Sequence, residues 1–176
     1  AGWVDTDGDG IREKDGKKLV VKWLTYPTRQ ELPLLAEAAQ ASLKEIGIEV
    51  DINNTLDVNE VVQDASAWDV YAMANVQAPT GDPEYWFRVF ALSDSAKNQG
   101  KYSNAQLDAL DEQLSQEFDT AKRADLAVQM QQILLDDNAF VFCSFLKMSM
   151  ISRSNVSNYT SHACDYYQIT ADLDIE

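Results

Sequence analysis

Three strand-like runs alternate with two helix-patterned segments through the first half of the chain, and this order most constrains the fold. The run KKLVVKWLTY, Lys17–Tyr26, is rich in Val, Leu and aromatic residues after a glycine-rich turn, which predicts a strand. Thr28 and Glu31 have capping-box spacing and predict a helix start. Leu32, Leu35, Ala39, Leu43 and Ile46 then recur every three or four residues and form one apolar face. Pro33 bends the start of this helix and Gly47 stops it. In IGIEVDINN, the alternation of Ile46, Ile48, Val50 and Ile52 with polar residues predicts a second strand. A short helix is expected from Asp57 to Ala65. WDVYAMANV, Trp68–Val76, is apolar on both faces and reads as a strand in the interior of a sheet covered by helices. Strand–helix–strand–helix–strand order implies parallel pairing with right-handed crossovers.

The segment QAPTGDPEYWFRVF interrupts this rhythm. Pro79, Gly81 and Pro83 exclude regular structure up to Asp82, and Pro83 then suits the first turn of a short helix capped by Asp82. A loop past the carboxyl end of a parallel strand is where open α/β sheets bind ligands. Two helices follow. Ser103 with Gln106 caps the first, whose inner face is Leu107, Leu110, Leu114 and Phe118. Asp119 caps the second, lined by Leu126, Met130, Ile133 and Leu134. NAFVFCSFLKMSMIS is expected to form a fourth strand, or two joined by a bend. The tail from Asn155 is polar and ends in a short strand, YYQIT.

The chain has 176 residues and a formal net charge of −15. That charge repels nucleic acid and anionic membranes, so neither is an expected partner. Of the two cysteines, Cys143 lies in the apolar run AFVFCSF, where a buried free thiol is expected; a bridge to Cys164 is the alternative. The lone His162, without metal-spaced cysteines, does not suggest a transition-metal site. No Ser-His-Asp set, Walker loop or dinucleotide-binding glycine turn is present, and Asp69, Asp82 and Glu84 lack the pairing a hydrolase needs, so no enzymatic chemistry is expected.

The acidic stretch DTDGDGIREKDG, Asp5–Gly16, places carboxylates at loop positions 1, 3 and 5 (Asp5, Asp7, Asp9), Gly10 at position 6, the Ile11 carbonyl at 7 and Glu13 at 9. Hard Ca²⁺ takes six to eight oxygens, and a coiled loop points alternate side chains inward to supply them. Position 12 is Gly16 instead of glutamate, and a strand follows instead of a helix, so this is no helix–loop–helix sensor. Two readings stand: structural Ca²⁺, with Asp15 or water completing the shell, and a metal-free acidic turn.

The runs GWVDTDGDGIREKDGKKL, SLKEIGIEVDI, WDVYAMANV…GDPEYWF and KYSNAQLDALDEQLSQEFDTAKRADLAVQMQQILLDDNAFVF, in this order, resemble the C-terminal lobe of the peptide/nickel family (family 5) of ABC-transporter solute-binding proteins. The resemblance runs end to end and is strongest over Tyr102–Phe142. It implies an α/β lobe of the periplasmic-binding-protein type (type II), an open mixed sheet with helices on both faces. It also implies a non-enzymatic receptor that closes two lobes over a small-molecule or peptide solute and delivers it to an ABC permease in the membrane. Residues 1–146 would be the second lobe. Residues 147–176 would return toward a missing N-terminal lobe of the same chain, leaving them loosely held or packed on another copy. The chain then reads as a fragment of a periplasmic or extracellular protein, free or lipid-anchored through the absent N-terminus.

The same resemblance makes Val76–Phe87 the ligand-facing loop. Peptide-binding members often carry a Trp and then an acid here; this chain has Asn75-Val76 and then Pro79, which argues against free dipeptides. The Ala78-Pro79 and Asp82-Pro83 pattern is rather like the nickel-binding branch, so peptides, nickel and nickel chelates are the expected solutes. Val76, Pro79, Asp82, Tyr85, Trp86 and Tyr102 are the candidate ligand-binding residues, although Asp82 looks more like a helix cap. The aromatic residues read either as walls for the solute or as anchors of the short helix, with Trp86 the one that faces the cleft. The alternative to a receptor is a calcium-stabilised structural or adhesion module.

Overall fold

β3 (Val20–Thr25) is the central strand of a three-stranded parallel sheet, flanked by β4 (Glu49–Asn54) and β5 (Val70–Tyr71). The structure is a computed structural model and describes residues 1–147, 149–162 and 168–175. The chain divides into two units, Ala1–Asn75 and Val76–Glu176.

In the first unit, the strand expected over Lys17–Tyr26 is split. β1 (Glu13–Lys14) and β2 (Lys17–Lys18) form a small antiparallel hairpin through a turn at Asp15-Gly16, and β3 begins after Leu19. Two residues of positive φ, Asp15 at 54° and Gly16 at 73°, make that tight turn. Val21↔Val50 and Trp23↔Ile52 are paired in register, so the apolar residues of both strands share a face. Leu24, fully buried, points the other way and packs with Val58 and Val62 of and beside α2 (Val58–Val61).

In the helix α1 (Glu31–Lys44), Leu32 of the expected stripe is buried and Leu35, Ala39 and Leu43 are half-buried; Ala36, outside that stripe, is also buried. Its predicted capping box is absent: the cap position is Gln30, and no side chain bonds it, because residues 27–30 already turn into the helix. Ile46 falls past the helix end and is exposed, so it joins neither the stripe nor β4. Gly47 ends the helix at φ +79°; a Cβ there would lie 2.8 Å from Arg12 Cγ. Arg12 N–H donates to the Gly47 carbonyl at 2.8 Å, so the acidic loop is fastened to the α1–β4 turn.

The third strand is shorter than expected and sits at an edge. Only Val70–Tyr71 pairs, on one side, with β3. Half-burial of both residues follows from that single neighbour.

The second unit is helical. α3 (Glu84–Trp86) runs into a π-helical turn, Phe87–Ala91, and then come α4 (Ala105–Gln116) and α5 (Thr120–Asp136). Phe87, Leu107, Leu114, Met130 and Leu134 are at the centre of their common core. Asp119 caps α5 as expected, accepting from Lys122 N–H at 3.0 Å. The cap of α4 is Asn104 instead of Ser103; its side chain accepts from Gln106 and Leu107 N–H at 2.9 and 3.2 Å. Phe118 is 92% exposed, because Glu117 (ψ 132°) is already extended and carries it off the α4 stripe.

The predicted strand at 138–152 does not form among the described residues. Val141, Phe145, Leu146, Met150 and Ile151 are exposed. A run apolar on both faces needs a strand on each side and a layer above and below, and the described residues offer it neither. Cys143 is exposed there, contrary to the expected buried thiol; its pairing with Cys164 lies outside the described residues. Of YYQIT, Tyr166 and Tyr167 also lie outside them and Gln168–Thr170 is not a strand. The terminal pairing is instead β6 (Val156–Ser157) with β7 (Asp174–Ile175).

Candidate functional site

The second unit opens on the proline-rich segment. Val76, Pro79 and Asp82 are half-buried and Tyr85 is exposed. Gly81, at φ +81°, donates to the Ala78 carbonyl at 3.0 Å and turns the chain toward α3. Asp82 Oδ1 accepts from Glu84 N–H at 2.9 Å, which is the expected capping contact, although Pro83 holds the cap position.

Asp82 is also an ion-pair partner. Arg123, in the first turn of α5, brings one nitrogen, Nη2, to 2.8 Å from each Asp82 oxygen and 3.1 Å from Glu84 Oε2. Its other nitrogen, Nη1, donates to the Leu114 and Glu117 carbonyls at 2.5 and 2.8 Å, at the end of α4. Hydrogen bonds that the guanidinium donates to Glu84 first and Asp82 second hold its pKa above its usual value. Arg88 adds a second cation, 2.8 Å from Glu84 Oε1.

Trp86 is half-buried in an aromatic cluster. Its ring centroid lies 5.1 Å from Phe140, 5.6 Å from Phe142 and 5.9 Å from Phe87. The π turn that follows closes with Leu92 N–H on the Phe87 carbonyl at 3.1 Å; such turns recur at functional sites. Tyr102 reaches the same cluster, 6.2 Å from Phe140. Its hydroxyl donates to Asp137 Oδ2 at 2.6 Å, and Asn104 Nδ2 donates to the same oxygen at 2.8 Å. Burial, then the Asp137 carboxylate, push the Tyr102 pKa up to about 12. Its hydroxyl is therefore committed to Asp137. Trp86 and Tyr102 thus share Phe140, while Val76 and Pro79 lie outside the ring cluster. An open groove of about 510 Å³ between α4 and α5, lined by Gln113, Lys122, Asp125 and Gln129 among others, contains neither aromatic residue.

Sequence reasoning missed Arg123, Asp137 and Phe140. Arg123 stands 41 positions from Asp82, so no local spacing links them. Asp137 had one visible signal: an acid at a helix carboxyl end is electrostatically misplaced unless it has another task.

In the first unit, Asp5, Asp7, Asp9 and Glu13 each bring a carboxylate oxygen to within 4.8 Å of the others. Asp5 accepts from Gly8 and Gly10 N–H at 2.7 and 3.0 Å, and Glu13 accepts from Thr6. Lys18 forms an ion pair with Asp9 and, as the leading cause, lowers its pKa. Glu13 Oε1 is buried without a hydrogen-bond partner. Four hard oxygens so gathered fit a hard cation. Ile11 and Asp15 lie outside the group of four carboxylates, and Lys18 occupies part of the same anionic space.

Comparison with known proteins gives these segments a context. Residues 1–98 match the family described as bacterial extracellular solute-binding proteins, family 5, middle region. The nickel-binding protein NikA of Staphylococcus aureus is 30% identical over 141 residues, covering 80% of this chain and 29% of NikA. The oligopeptide-binding protein AppA of Bacillus subtilis is 29% identical over 166 residues, 92% of this chain and 30% of AppA. The solved structure of the S. aureus NikA in complex with Ni(L-His)₂ superposes with a TM-score of 0.72 at 27% identity, covering 90% of this chain and 34% of that one. The chain therefore spans about three tenths of the length of these curated relatives. The likeness establishes the fold class read from the sequence, a mixed α/β structure of the type II periplasmic-binding-protein kind, and nothing in it supports the structural or adhesion alternative. The family consists of substrate-binding transport proteins, and with more than half its length matched, this chain belongs to the bacterial extracellular solute-binding proteins of family 5.

Proposed function

We propose that the chain is one lobe of a two-lobed receptor outside the cytoplasmic membrane, which closes on a solute and passes it to an ABC permease. Residues 1–146 are the second lobe and 147–176 return toward the first. The solute is a peptide, nickel or a nickel chelate, and Trp86 with Tyr85 and the Tyr102 ring offers it an aromatic wall. The observation that carries this reading is the likeness, across both units, to receptors described as binding nickel and oligopeptides. The exposed apolar side chains of Val141, Phe145, Leu146, Met150 and Ile151 support the lobe assignment, because such residues require further strands and layers to cover them.

Calorimetry tests it. One lobe makes only part of the contacts, so Ni(L-His)₂ or a nonapeptide should bind weakly, with Kd on the order of 1 mM. A Kd of about 1 μM or tighter would overturn the one-lobe reading, and no measurable heat with either probe would overturn the choice of solute.

The acidic loop holds structural Ca²⁺ through Asp5, Asp7, Asp9, Glu13 and the Ile11 carbonyl, with Asp15 or water completing the shell. The gathered carboxylates support this, and binding would displace Lys18 from Asp9. At about 100 times Kd, calcium should add roughly 2.7 kcal/mol of stability. A melting temperature that is the same in chelator and in excess calcium would exclude the site.

A further inference from the structure

We propose that Arg123 is the positioning residue of the solute-facing segment: it fixes the turn that presents Trp86 and takes up the charge of Asp82, so this lobe offers the solute aromatic surface instead of a free carboxylate. This rests on the reading of residues 76–87 as solute-facing.

The guanidinium adds polar bonds between two elements that also meet through the apolar core, where Phe87 packs with Leu107 and Leu114. On one side it donates to two carbonyls at the end of α4, that of Glu117 and that of Leu114, which also accepts from Glu117 N–H at 3.3 Å. On the other it grips Asp82 and Glu84, at the entry to α3. The Arg123 and Glu84 side chains are 17% and 16% exposed, so the contact is shielded from water and salt far more than a surface pair. Trp86 follows Glu84 by two residues on the same short helix, and the next turn is π-helical. A shift of the Asp82–Glu84 corner therefore moves the indole against Phe140 and Phe142.

The charge balance makes the second half of the inference. Three acids, Asp82, Glu84 and Asp111, face two guanidiniums, Arg123 and Arg88; Arg123 contacts Asp82 and Glu84 directly, while Asp111 lies 4.0 Å from Arg88. Both Asp82 oxygens are held by Nη2, and Oδ1 also takes the Glu84 N–H. For Asp82 to meet a cation, such as a metal ion or a peptide amino terminus, it would have to leave these partners. Lysine cannot replace arginine here, because a single ammonium cannot span two carbonyls and two carboxylates at once.

The test uses the 176-residue chain and its R123M, R123K and D82N variants, each with a W86F counterpart so that the difference isolates Trp86 emission. Well below the melting transition, R123M and R123K should both shift Trp86 emission to the red. They should also speed amide exchange in residues 84–91 about tenfold more than in 126–134. D82N, which leaves the bonds to α4 intact and so guards against a misfolded R123M, should give the same changes at smaller amplitude. Unchanged Trp86 emission in R123M and D82N, or equal acceleration in 126–134, would overturn the positioning role, as would full rescue by R123K. Binding of Ni²⁺ from nickel chloride to the unaltered chain that D82N abolishes would overturn the charge assignment. None of these readouts needs a solute: calorimetry without heat sinks the choice of solute alone, and unmoved Trp86 emission sinks the role of Arg123 alone.

Discussion

Replacing Leu114 by alanine is expected to lower the unfolding free energy by roughly 3 kcal/mol, read as a shift of the urea midpoint. Leu114 is fully buried and belongs to one core with Leu107, Leu110, Ala127, Met130 and Leu134. Those neighbours lie on two facing helices whose connection spans only residues 117–119. The helices cannot collapse far into the space, so the cavity persists and its cost adds to the lost transfer energy. Phe118→Ala is the contrast. It removes a larger side chain from the same predicted stripe, yet should change stability by less than about 0.5 kcal/mol, because Phe118 is 92% exposed. A Leu114→Ala cost below about 1 kcal/mol, or a Phe118→Ala cost of equal size, would show that α4 packs through a different face.

That contrast marks the limit of what periodicity reads. Spacing of four placed Leu110, Leu114 and Phe118 in line, and it holds as long as the helix does. The helix ends at Gln116, and Glu117 is pulled extended as its carboxylate accepts from Phe118 and Asp119 N–H, both at 2.8 Å. Local chemistry legible in the sequence was read correctly where one residue decides it: Asp119 caps α5, and Gly47 stops α1. Ser103 and Thr28 were misread because neighbours compete. Asn104 outcompetes Ser103 for the same N–H groups, and the Thr28 region folds into a turn before the helix begins. The apolar run at 138–152 was read as a strand because its residue types suit one, but a strand exists only with its partners. The candidate site divides the same way. Trp86, Tyr102 and Asp82 were visible as candidate residues by type. Arg123, Asp137 and Phe140, which hold them, are joined to them only by tertiary structure.

Asp111→Asn is expected to stabilise the chain near neutral pH by on the order of 1–2 kcal/mol. Asp111 sits in α4 at 3% exposure, and its Oδ1 has no hydrogen-bond partner. Its nearest cation, Arg88 Nε, is 4.0 Å from Oδ2, too far for a direct hydrogen bond, and Arg88 is already paired with Glu84. Burial is the main cause that raises the Asp111 pKa; Arg88 opposes it, and Glu84, Asp108 and Asp94 reinforce it. A carboxyl whose pKa is raised by folding contributes stability that is fully present below its unfolded pKa and lost as pH rises through the folded value. The wild-type chain should therefore lose stability relative to Asp111→Asn as pH rises from about 4, the unfolded aspartate value, through the raised folded one. Below that point both side chains are neutral and the two curves should converge. Asparagine keeps the shape and removes the charge, leaving Arg88 its pair with Glu84. Thermal melts of both proteins between acidic and mildly alkaline pH would decide the matter: a variant less stable than wild type at neutral pH would mean that the Arg88–Asp111 attraction outweighs the burial of the charge.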